Sequence, residues 1–151
     1  MRIGVISDTH AGSIEEIPRQ ILASLTNVDL IIHAGDFTRK PVLDGLRKLG
    51  EVKAVCGNMD SYELQQLLPE KELLIVNGKR IGIIHGWGSP FGLENKIRKK
   101  FDEVDAIVYG HIHYPKNEVI DGILFFNPGR ARDSFGILTV EEEIKGEIIR
   151  L

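Results

Sequence analysis

The chain has 151 residues, with 19 basic and 22 acidic side chains and a formal net charge of −3. That length suits a single domain over residues 1–151 with a real hydrophobic core. The nearly balanced charge excludes a global electrostatic attraction to nucleic acid or to an anionic membrane surface, and no apolar run approaches the roughly 18 residues of a membrane helix.

The first residues of the chain already form a strand-like segment, without the charged and then apolar stretch of a signal peptide. The single cysteine, Cys56, ends an apolar run, where a buried and reduced thiol is expected. We therefore expect a soluble protein of the cytoplasm.

The first half of the chain alternates strand and helix patterns. Predicted strands cover residues 2–7, 30–34 and 52–56, and predicted helices cover residues 14–25 and 41–49. This order predicts a βαβαβ unit with a parallel sheet.

The second half begins with a short predicted helix over residues 61–68, with Asp60 as its N-cap. Asn77-Gly78, a strong hairpin signal, separates predicted strands over residues 73–76 and 80–84. A basic helix over residues 93–101 then leads to a strand over residues 106–109.

The tail is predicted to be all-β. Its strands cover residues 117–120 and 123–126, joined by a turn at Asp121-Gly122, and residues 135–140, and a last strand follows the pair Lys145-Gly146. An α/β first half and a strand-rich second half predict two packed sheets with helices outside.

Histidines, carboxylates and one asparagine follow closely on the ends of the strand-like runs. The histidines are His10, His33, His85, His111 and His113. Asp8, Asp36 and Asn58 occupy positions of the same kind. Because ligands of α/β proteins bind at the carboxyl ends of strands, these side chains are expected to converge. Imidazole and carboxylate groups suit divalent transition metals, and the set exceeds the needs of one ion, so the sequence predicts two metals.

Five short segments carry most of these residues, in order, each after a predicted strand. They are Asp8-Thr9-His10, Gly35-Asp36, Gly57-Asn58-Met59-Asp60, His85-Gly86 and Gly110-His111-Ile112-His113. The ordered set resembles the motifs of the calcineurin-like metallophosphoesterases, in particular their small bacterial and archaeal phosphodiesterase branch. The resemblance implies an α/β fold, a four-layer α/β/β/α sandwich of two mixed sheets flanked by helices.

The family pattern, carried over by position, implies two ion positions that share Asp36. The first ion position would consist of Asp8, His10 and His113, and the second of Asn58, His85 and His111. A shared carboxylate can hold two cations about 3.5 to 4 Å apart, the spacing of two-metal hydrolytic sites. The resemblance implies catalytic roles for three of these residues, Asp36, Asn58 and His85. Glycines 35, 57, 86 and 110 are expected to turn the backbone sharply beside the ligands.

The implied activity is that of a two-metal-dependent phosphodiesterase acting on a small-molecule phosphodiester. In the family mechanism a metal-bridging hydroxide attacks phosphorus in line. Two divalent cations, less the charges of Asp8 and Asp36 and one hydroxide, leave about +1, which attracts a phosphate ester. Mn²⁺ is the first choice of metal, and ligand type alone leaves Ni²⁺, Fe, Zn²⁺ and Mg²⁺ as alternatives.

The main departure from the family pattern is Met59. Many members have histidine after the asparagine, where it can protonate the leaving alkoxide, a role worth roughly a hundredfold or more. A thioether cannot donate a proton, so Met59 predicts weaker catalysis and a bias towards good leaving groups.

Two further departures concern Trp87 and Arg130. Trp87 replaces a second family histidine and could stack on a base or aryl group, although a structural role is equally compatible with the sequence. Arg130 stands where the family has serine, and could bind a phosphate or remain a solvated loop cation. His33 has no ligand role in the pattern, so we expect it in the core or behind the ligands.

Two other functions compete with the enzyme. The same fold supports a retromer-subunit scaffold, so a metal-binding interaction protein with little or no catalysis is the main alternative. A nuclease would share the chemistry. The run Arg98-Lys99-Lys100, however, has no interleaved aromatic residues, so we expect it to form the solvent-exposed face of a helix rather than a nucleic-acid contact. Exposed apolar groups on the late strands are compatible with a homodimer.

Overall fold

The computed structural model describes all residues 1–151 and contains ten strands and four α-helices. In chain order these elements are β1 (Arg2–Ile6), α1 (Arg19–Leu25), β2 (Leu30–His33), α2 (Lys40–Leu49), β3 (Val52–Ala54), α3 (Tyr62–Leu67), β4 (Lys71–Val76), β5 (Lys79–Ile84), α4 (Leu93–Arg98), β6 (Ala106–Val108), β7 (Lys116–Ile120), β8 (Ile123–Asn127), β9 (Ser134–Val140) and β10 (Ile144–Arg150). None of the helices has the length and apolar character that spanning a membrane requires.

The strands form two mixed sheets of five strands each. The first has the order β10-β9-β1-β2-β3, in which β1, β2 and β3 are parallel, as the predicted βαβαβ unit requires. The second has the order β4-β5-β6-β8-β7, in which β5, β6 and β8 are parallel. Each sheet therefore has a set of parallel strands whose carboxyl ends point the same way.

Three clusters of buried side chains divide the molecule into layers. A central cluster joins both sheets, with Ile3 and Val5 from β1 packed among residues such as Ile83 and Val108 from the second sheet. A second cluster packs α1, α2 and α3 on the outer face of the first sheet, and a third packs α4 on the outer face of the second. This is the predicted four-layer α/β/β/α sandwich, and the fold class is confirmed.

The predicted helix over residues 14–25 is interrupted in the structure. A single turn of 3₁₀-helix covers Ile14–Glu16, and α1 starts only after Pro18. Proline lacks an N–H and clashes with the preceding helical turn, so it is tolerated at the start of a helix and not inside one. The apolar spacing was continuous across Pro18, and the prediction of one helix was wrong for that reason.

Two other local predictions need correction. Asp60 is not the N-cap of α3, because Ser61 takes that position and its hydroxyl accepts the N–H of Leu64. Lys145-Gly146 is not a turn before the last strand but lies within β10, where Gly146 pairs with Leu138. A side chain at Gly146 would collide with the ring of Phe126, so this glycine serves packing rather than a turn.

Candidate metal centre

The candidate metal ligands lie on five loops that follow the parallel strands of both sheets, after β1, β2, β3, β5 and β6. Four of the residues have the left-handed backbone conformation that is uncommon outside glycine: Asp8, His10, Asp36 and His111, with φ of 53°, 44°, 61° and 69°. Such conformations cost free energy and persist only where the surroundings hold them. The strain is therefore concentrated at the ends of the strands where the ligands converge.

The first ion position is compact. Oδ1 of Asp8 lies 3.7 Å from Nε2 of His10 and 3.5 Å from Nε2 of His113. The other oxygen, Oδ2, accepts the hydroxyl of Ser7 at 2.6 Å and the backbone N–H of His111 at 3.2 Å. Two donors thus fix the Asp8 carboxylate and leave Oδ1 turned towards the two imidazoles.

Asp36 lies between the two ion positions. Its Oδ2 is 3.7 Å from Nε2 of His10 and 3.2 Å from Nε2 of His85. Its Oδ1 accepts the backbone N–H of Met59 at 2.8 Å, so the orientation of the carboxylate is set from the β3 loop. This is the placement that a bridging carboxylate needs.

The tautomer of neutral His85 follows from its partner. Nδ1 lies 2.7 Å from the carbonyl oxygen of Ala34, which can only accept, so Nδ1 carries the hydrogen. The lone pair of Nε2 then faces oxygens of Asp8 and Asp36, at 3.9 and 3.2 Å. A lone pair turned towards two carboxylates is unfavourable unless a positive charge, a proton on Nε2 or a metal ion, lies between them.

Three buried atoms at this centre have no hydrogen-bond partner: Asp8 Oδ1, His10 Nε2 and His85 Nε2. Buried polar atoms without partners are rare and costly. Here they are nitrogen and oxygen donors of the kind that divalent transition metals bind, and they point into one small volume. The residues present therefore fit a metal ion.

The titration behaviour of the cluster agrees with this fit. Burial raises the pKa of Asp8, although His85 opposes the shift. Burial acts on Asp36 in the same direction, but the attraction of the nearby His85 ring outweighs it and lowers the pKa of Asp36. The pKa of His85 is raised against its own burial, because Asp36 and Asp8 favour the imidazolium. The two carboxylates thus favour positive charge between them.

The second ion position is less complete. Nε2 of His111 donates to the carbonyl of Gly88 at 2.9 Å, which leaves Nδ1 as its nitrogen with a lone pair. The side chain of Asn58 is exposed. Only His85 is closely grouped with the carboxylates on this side.

Two supporting residues were not identified from the sequence. Ser7 gave no signal, because a serine ending a strand is unremarkable. Asp60 was taken for a helix cap, but its buried carboxylate accepts the backbone N–H groups of Asp36, Gly57 and Thr38 at 3.1, 2.7 and 2.9 Å. It therefore ties the loop after β2 to the loop after β3.

His33 lies behind the centre. Its Nδ1 accepts the N–H of Gly35 at 3.0 Å, so Nε2 carries the hydrogen that it shares with the hydroxyl of Thr9 at 3.2 Å. The ring stacks on Phe37 at 3.5 Å between centroids, and complete burial holds its pKa well below the ordinary value. His33 is thus a neutral residue that supports the Asp36 loop.

The glycines beside the ligands serve two purposes. Gly35 and Gly86 have positive φ, of 99° and 98°, as the expected sharp turns require. Gly57 and Gly110 do not, and are needed for close approach: a Cβ on Gly57 would collide with Oδ1 of Asp36, and one on Gly110 with the hydroxyl of Ser7.

The three residues that depart from the family pattern have different environments. Met59 is 57% exposed, and only its backbone contacts the centre. Arg130 forms an ion pair with Asp133 at 2.9 Å, within the loop between β8 and β9. The ammonium group of Lys96 lies over the Trp87 ring at 5.1 Å from its centroid, and Lys100 at 5.3 Å, so lysines already occupy part of the proposed stacking surface.

A cavity of about 440 Å³ adjoins the second ion position. His85 and Asn58 line it at that end, and the loop from Gly86 to Trp87 lines one side. The cavity therefore adjoins the candidate metal centre on the side of His85.

The comparisons with known proteins agree with the sequence motifs. The family model described as the calcineurin-like phosphoesterase superfamily domain matches residues 1–143. A probable metallophosphoesterase of Methanocaldococcus jannaschii is 41% identical over 159 residues, covering 99% of this chain and 81% of that protein. A phosphodiesterase of the same organism is 29% identical over 168 residues, covering 99% of each protein.

A solved structure is also similar along the whole chain. The crystal structure of Vps29 from Entamoeba histolytica complexed with Zn²⁺ matches with a TM-score of 0.76 and 26% identity, covering 99% of each chain. Family model, relatives and fold agree with the arrangement of strand-end ligands described above. The chain belongs to the calcineurin-like phosphoesterase superfamily.

Proposed function

We propose that this chain is a phosphodiesterase that depends on two divalent metal ions and acts on a small-molecule phosphodiester. The observation that carries the proposal is the lone pair of His85 Nε2, which faces oxygens of both Asp8 and Asp36 in a buried cluster. A bound cation removes that conflict, and the similarity to a protein named as a phosphodiesterase supports the reaction class.

Seven residues form the proposed ligand set. Asp8, His10 and His113 hold the first ion, Asn58, His85 and His111 hold the second, and Asp36 bridges the two. The second position needs the exposed side chain of Asn58 to turn inward and Nδ1 of His111 to coordinate. Mn²⁺ remains the first choice, with Ni²⁺, Fe, Zn²⁺ and Mg²⁺ as alternatives, because mixed imidazole and carboxylate ligands accept all of them.

The protein side chains at the centre position and orient, and none is a free nucleophile. The hydroxyl of Ser7 is bound to Asp8, and that of Thr9 to His33. A water molecule is therefore the attacking group. Bound divalent ions would acidify that water and neutralise the charge of the phosphate oxygens.

The centre lacks, at position 59, the acid that protonates the leaving group in many members of the family. Met59 cannot donate a proton, and its exposed thioether offers nothing to a developing alkoxide. The proposed enzyme therefore favours esters with good leaving groups.

The test is metal reconstitution of the chelator-treated chain, followed by hydrolysis of bis-p-nitrophenyl phosphate and of p-nitrophenyl phosphate. We expect turnover with at least one of the five metals, faster for the diester, and its loss in His85→Ala. Glu142→Ala, an exposed glutamate in the turn between β9 and β10, is the matched control. Absence of turnover with every metal would overturn the enzyme, and full activity of His85→Ala would overturn the site.

A metal-binding scaffold with little or no catalysis is the second candidate. Two observations favour it: methionine at the family histidine position, and similarity to a Vps29 that binds Zn²⁺. The same experiment separates the two, because a scaffold would take up metal stoichiometrically and hydrolyse neither ester.

A further inference from the structure

The cavity beside the second ion position has walls of mixed character. Leu68, Ile84 and Trp87 provide apolar surface, and the polar groups Gln65 and Glu70 line it as well. Its volume of about 440 Å³ is within the usual range of small-molecule sites and exceeds the needs of a methyl or ethyl ester.

Two side chains of the wall, Gln65 and Glu70, offer hydrogen-bond acceptors. Gln65 donates one amide N–H to the carbonyl of Asp60 at 3.0 Å, and its amide oxygen and second N–H remain for a ligand. Glu70 is exposed and takes part in none of the ion pairs of the structure. The ionisable side chains of the lining are His85, the Cys56 thiol and Glu70, and Glu70 is the only carboxylate among them. A ligand group that donates to Glu70 and carries no negative charge therefore suits this wall.

Trp87 is held in place as one wall. The ammonium group of Lys96 donates to the Trp87 carbonyl at 2.8 Å and also lies over the indole ring, as does that of Lys100. Neither lysine lines the cavity. Their positive charge stabilises the indole by cation–π attraction and offers no binding group for a second phosphate inside the cavity.

From these observations we propose that the cavity is a subsite for a nucleoside, the organic group of a phosphate ester whose phosphorus lies at the metal centre. A nucleobase has flat apolar faces that suit Leu68 and Ile84, and N–H donors at its edge that suit Glu70 and Gln65. The inference rests on the proposed function and deepens it, because it names the substrate class and gives Glu70 the selecting role. Esters with a further negative charge on this group are excluded by the same carboxylate.

Trp87 gives a direct signal for the test, because it is the only tryptophan of the chain. The metal-loaded protein is titrated with guanosine 5′-monophosphate and with methyl phosphate, following the indole fluorescence and the inhibition of bis-p-nitrophenyl phosphate hydrolysis. Both probes carry the same phosphate group, so the ratio of their dissociation constants reports the cavity alone. We expect guanosine monophosphate to bind about tenfold tighter or more and to change the fluorescence.

Glu70→Gln is expected to reduce that ratio about tenfold, because a hydrogen bond to a charged acceptor is lost. Glu63→Gln, an exposed glutamate on α3 outside the cavity lining, is the matched control and should keep the ratio. Equal binding of the two probes, or a ratio that survives Glu70→Gln, would overturn the subsite even if the diester is hydrolysed. Tight, Glu70-dependent binding of the nucleotide without hydrolysis by any metal form would support the subsite and overturn the proposed enzyme.

Discussion

The two proposed ion positions share Asp36 but differ in how closely their ligand atoms are already grouped. At the first, Nε2 of His10 and Nε2 of His113 already lie 3.7 and 3.5 Å from one fixed oxygen of Asp8. At the second, only His85 faces the carboxylates, while Asn58 is exposed and the Nε2 of His111 is committed to Gly88.

The difference has a structural origin. The Asp8 carboxylate is held by Ser7 and by the backbone of His111, so residues of both sheets define the first position. The second depends on an exposed side chain and adjoins an open cavity. Preorganised ligands lose less conformational entropy on binding, so the first ion should be bound more tightly and the second should exchange more readily.

The largest expected effect comes from the residue common to both positions. Asp36→Asn removes one negative charge and the bridge while keeping the shape of the side chain. We expect loss of both ions during dialysis and a fall in kcat/KM of about 10³-fold or more, because several kcal/mol of charge stabilisation are lost. Metal analysis and steady-state kinetics measure the two effects, and retention of two ions would contradict the bridging role.

The expected difference in affinity between the two ion positions is tested with the variants His10→Ala and His111→Ala. We expect His10→Ala to weaken the tighter ion by about a hundredfold and His111→Ala to weaken only the other, more easily removed ion. Chelator titration with metal analysis distinguishes them, since the native chain should release its ions in two steps. Release in a single step, or the opposite assignment, would show that the two positions are equally prepared.

Met59→His tests what the second position lacks for catalysis. An imidazole at this exposed place can protonate the leaving oxygen, so turnover of a diester with an unactivated alcohol should rise about a hundredfold, and that of a p-nitrophenyl ester much less. Met59→Gln serves as a polar control without a transferable proton. Equal rates for Met59→His and the native chain with both esters would refute this account of the methionine.

Asp60→Asn loosens the connection between the loops of the bridging ligand and of Asn58. Its amide group would meet N–H donors that the carboxylate now accepts, at a cost of about 1–3 kcal/mol in the free energy of unfolding. Urea denaturation measures the change, and Asp102→Asn, at an exposed position outside the centre, is its control. An unaltered midpoint would mean that the two loops are held independently.

The smallest effect is expected where charges pair with each other rather than with metal. Lys116 lies 2.6 Å from Glu94, and although partial burial would raise the pKa of Glu94, this contact keeps it below the ordinary value. A carboxylate whose pKa is lowered by folding stabilises the protein at pH values above its pKa in the unfolded chain. This contribution is lost as the pH falls through its pKa in the folded protein. Lys116→Met should therefore cost under about 1 kcal/mol at pH 7, and still less in acid, with Lys99→Met as control. A loss that stays constant into acid would show that packing, not charge, is responsible.

The sequence was most informative where the signal is local. Asn77-Gly78 and Asp121-Gly122 form the hairpin turns with positive φ that such pairs favour. The alternation of strands and helices was enough for the fold class. It did not reveal the break at Pro18, because the apolar spacing continues across a proline that ends the helical pattern locally. It did not reveal the in-strand position of Gly146 either, because apolar periodicity carries no information on what a residue meets across the core.

The candidate site likewise has features that local sequence signals predict and others that depend on contacts across the fold. Strand ends and residue types predicted the convergence of five side chains, since parallel strands present their carboxyl ends at one edge. These five are Asp8, His10, Asp36, His85 and His113. Their support was not predictable: Ser7, Asp60 and the carbonyl of Ala34 act through contacts between segments far apart in the chain. The lysines over Trp87 and the acceptors of the cavity also come from separate elements.

By itself, the sequence determined the fold class, the residue types gathered at the strand ends and the missing imidazole at Met59, because these depend on residue type and on spacing along the chain. Only the tertiary structure decided that one ion position is prepared and the other open, and that Glu70 faces a cavity beside it. Distances between atoms on different loops depend on how two sheets pack, and packing is a property of the whole chain.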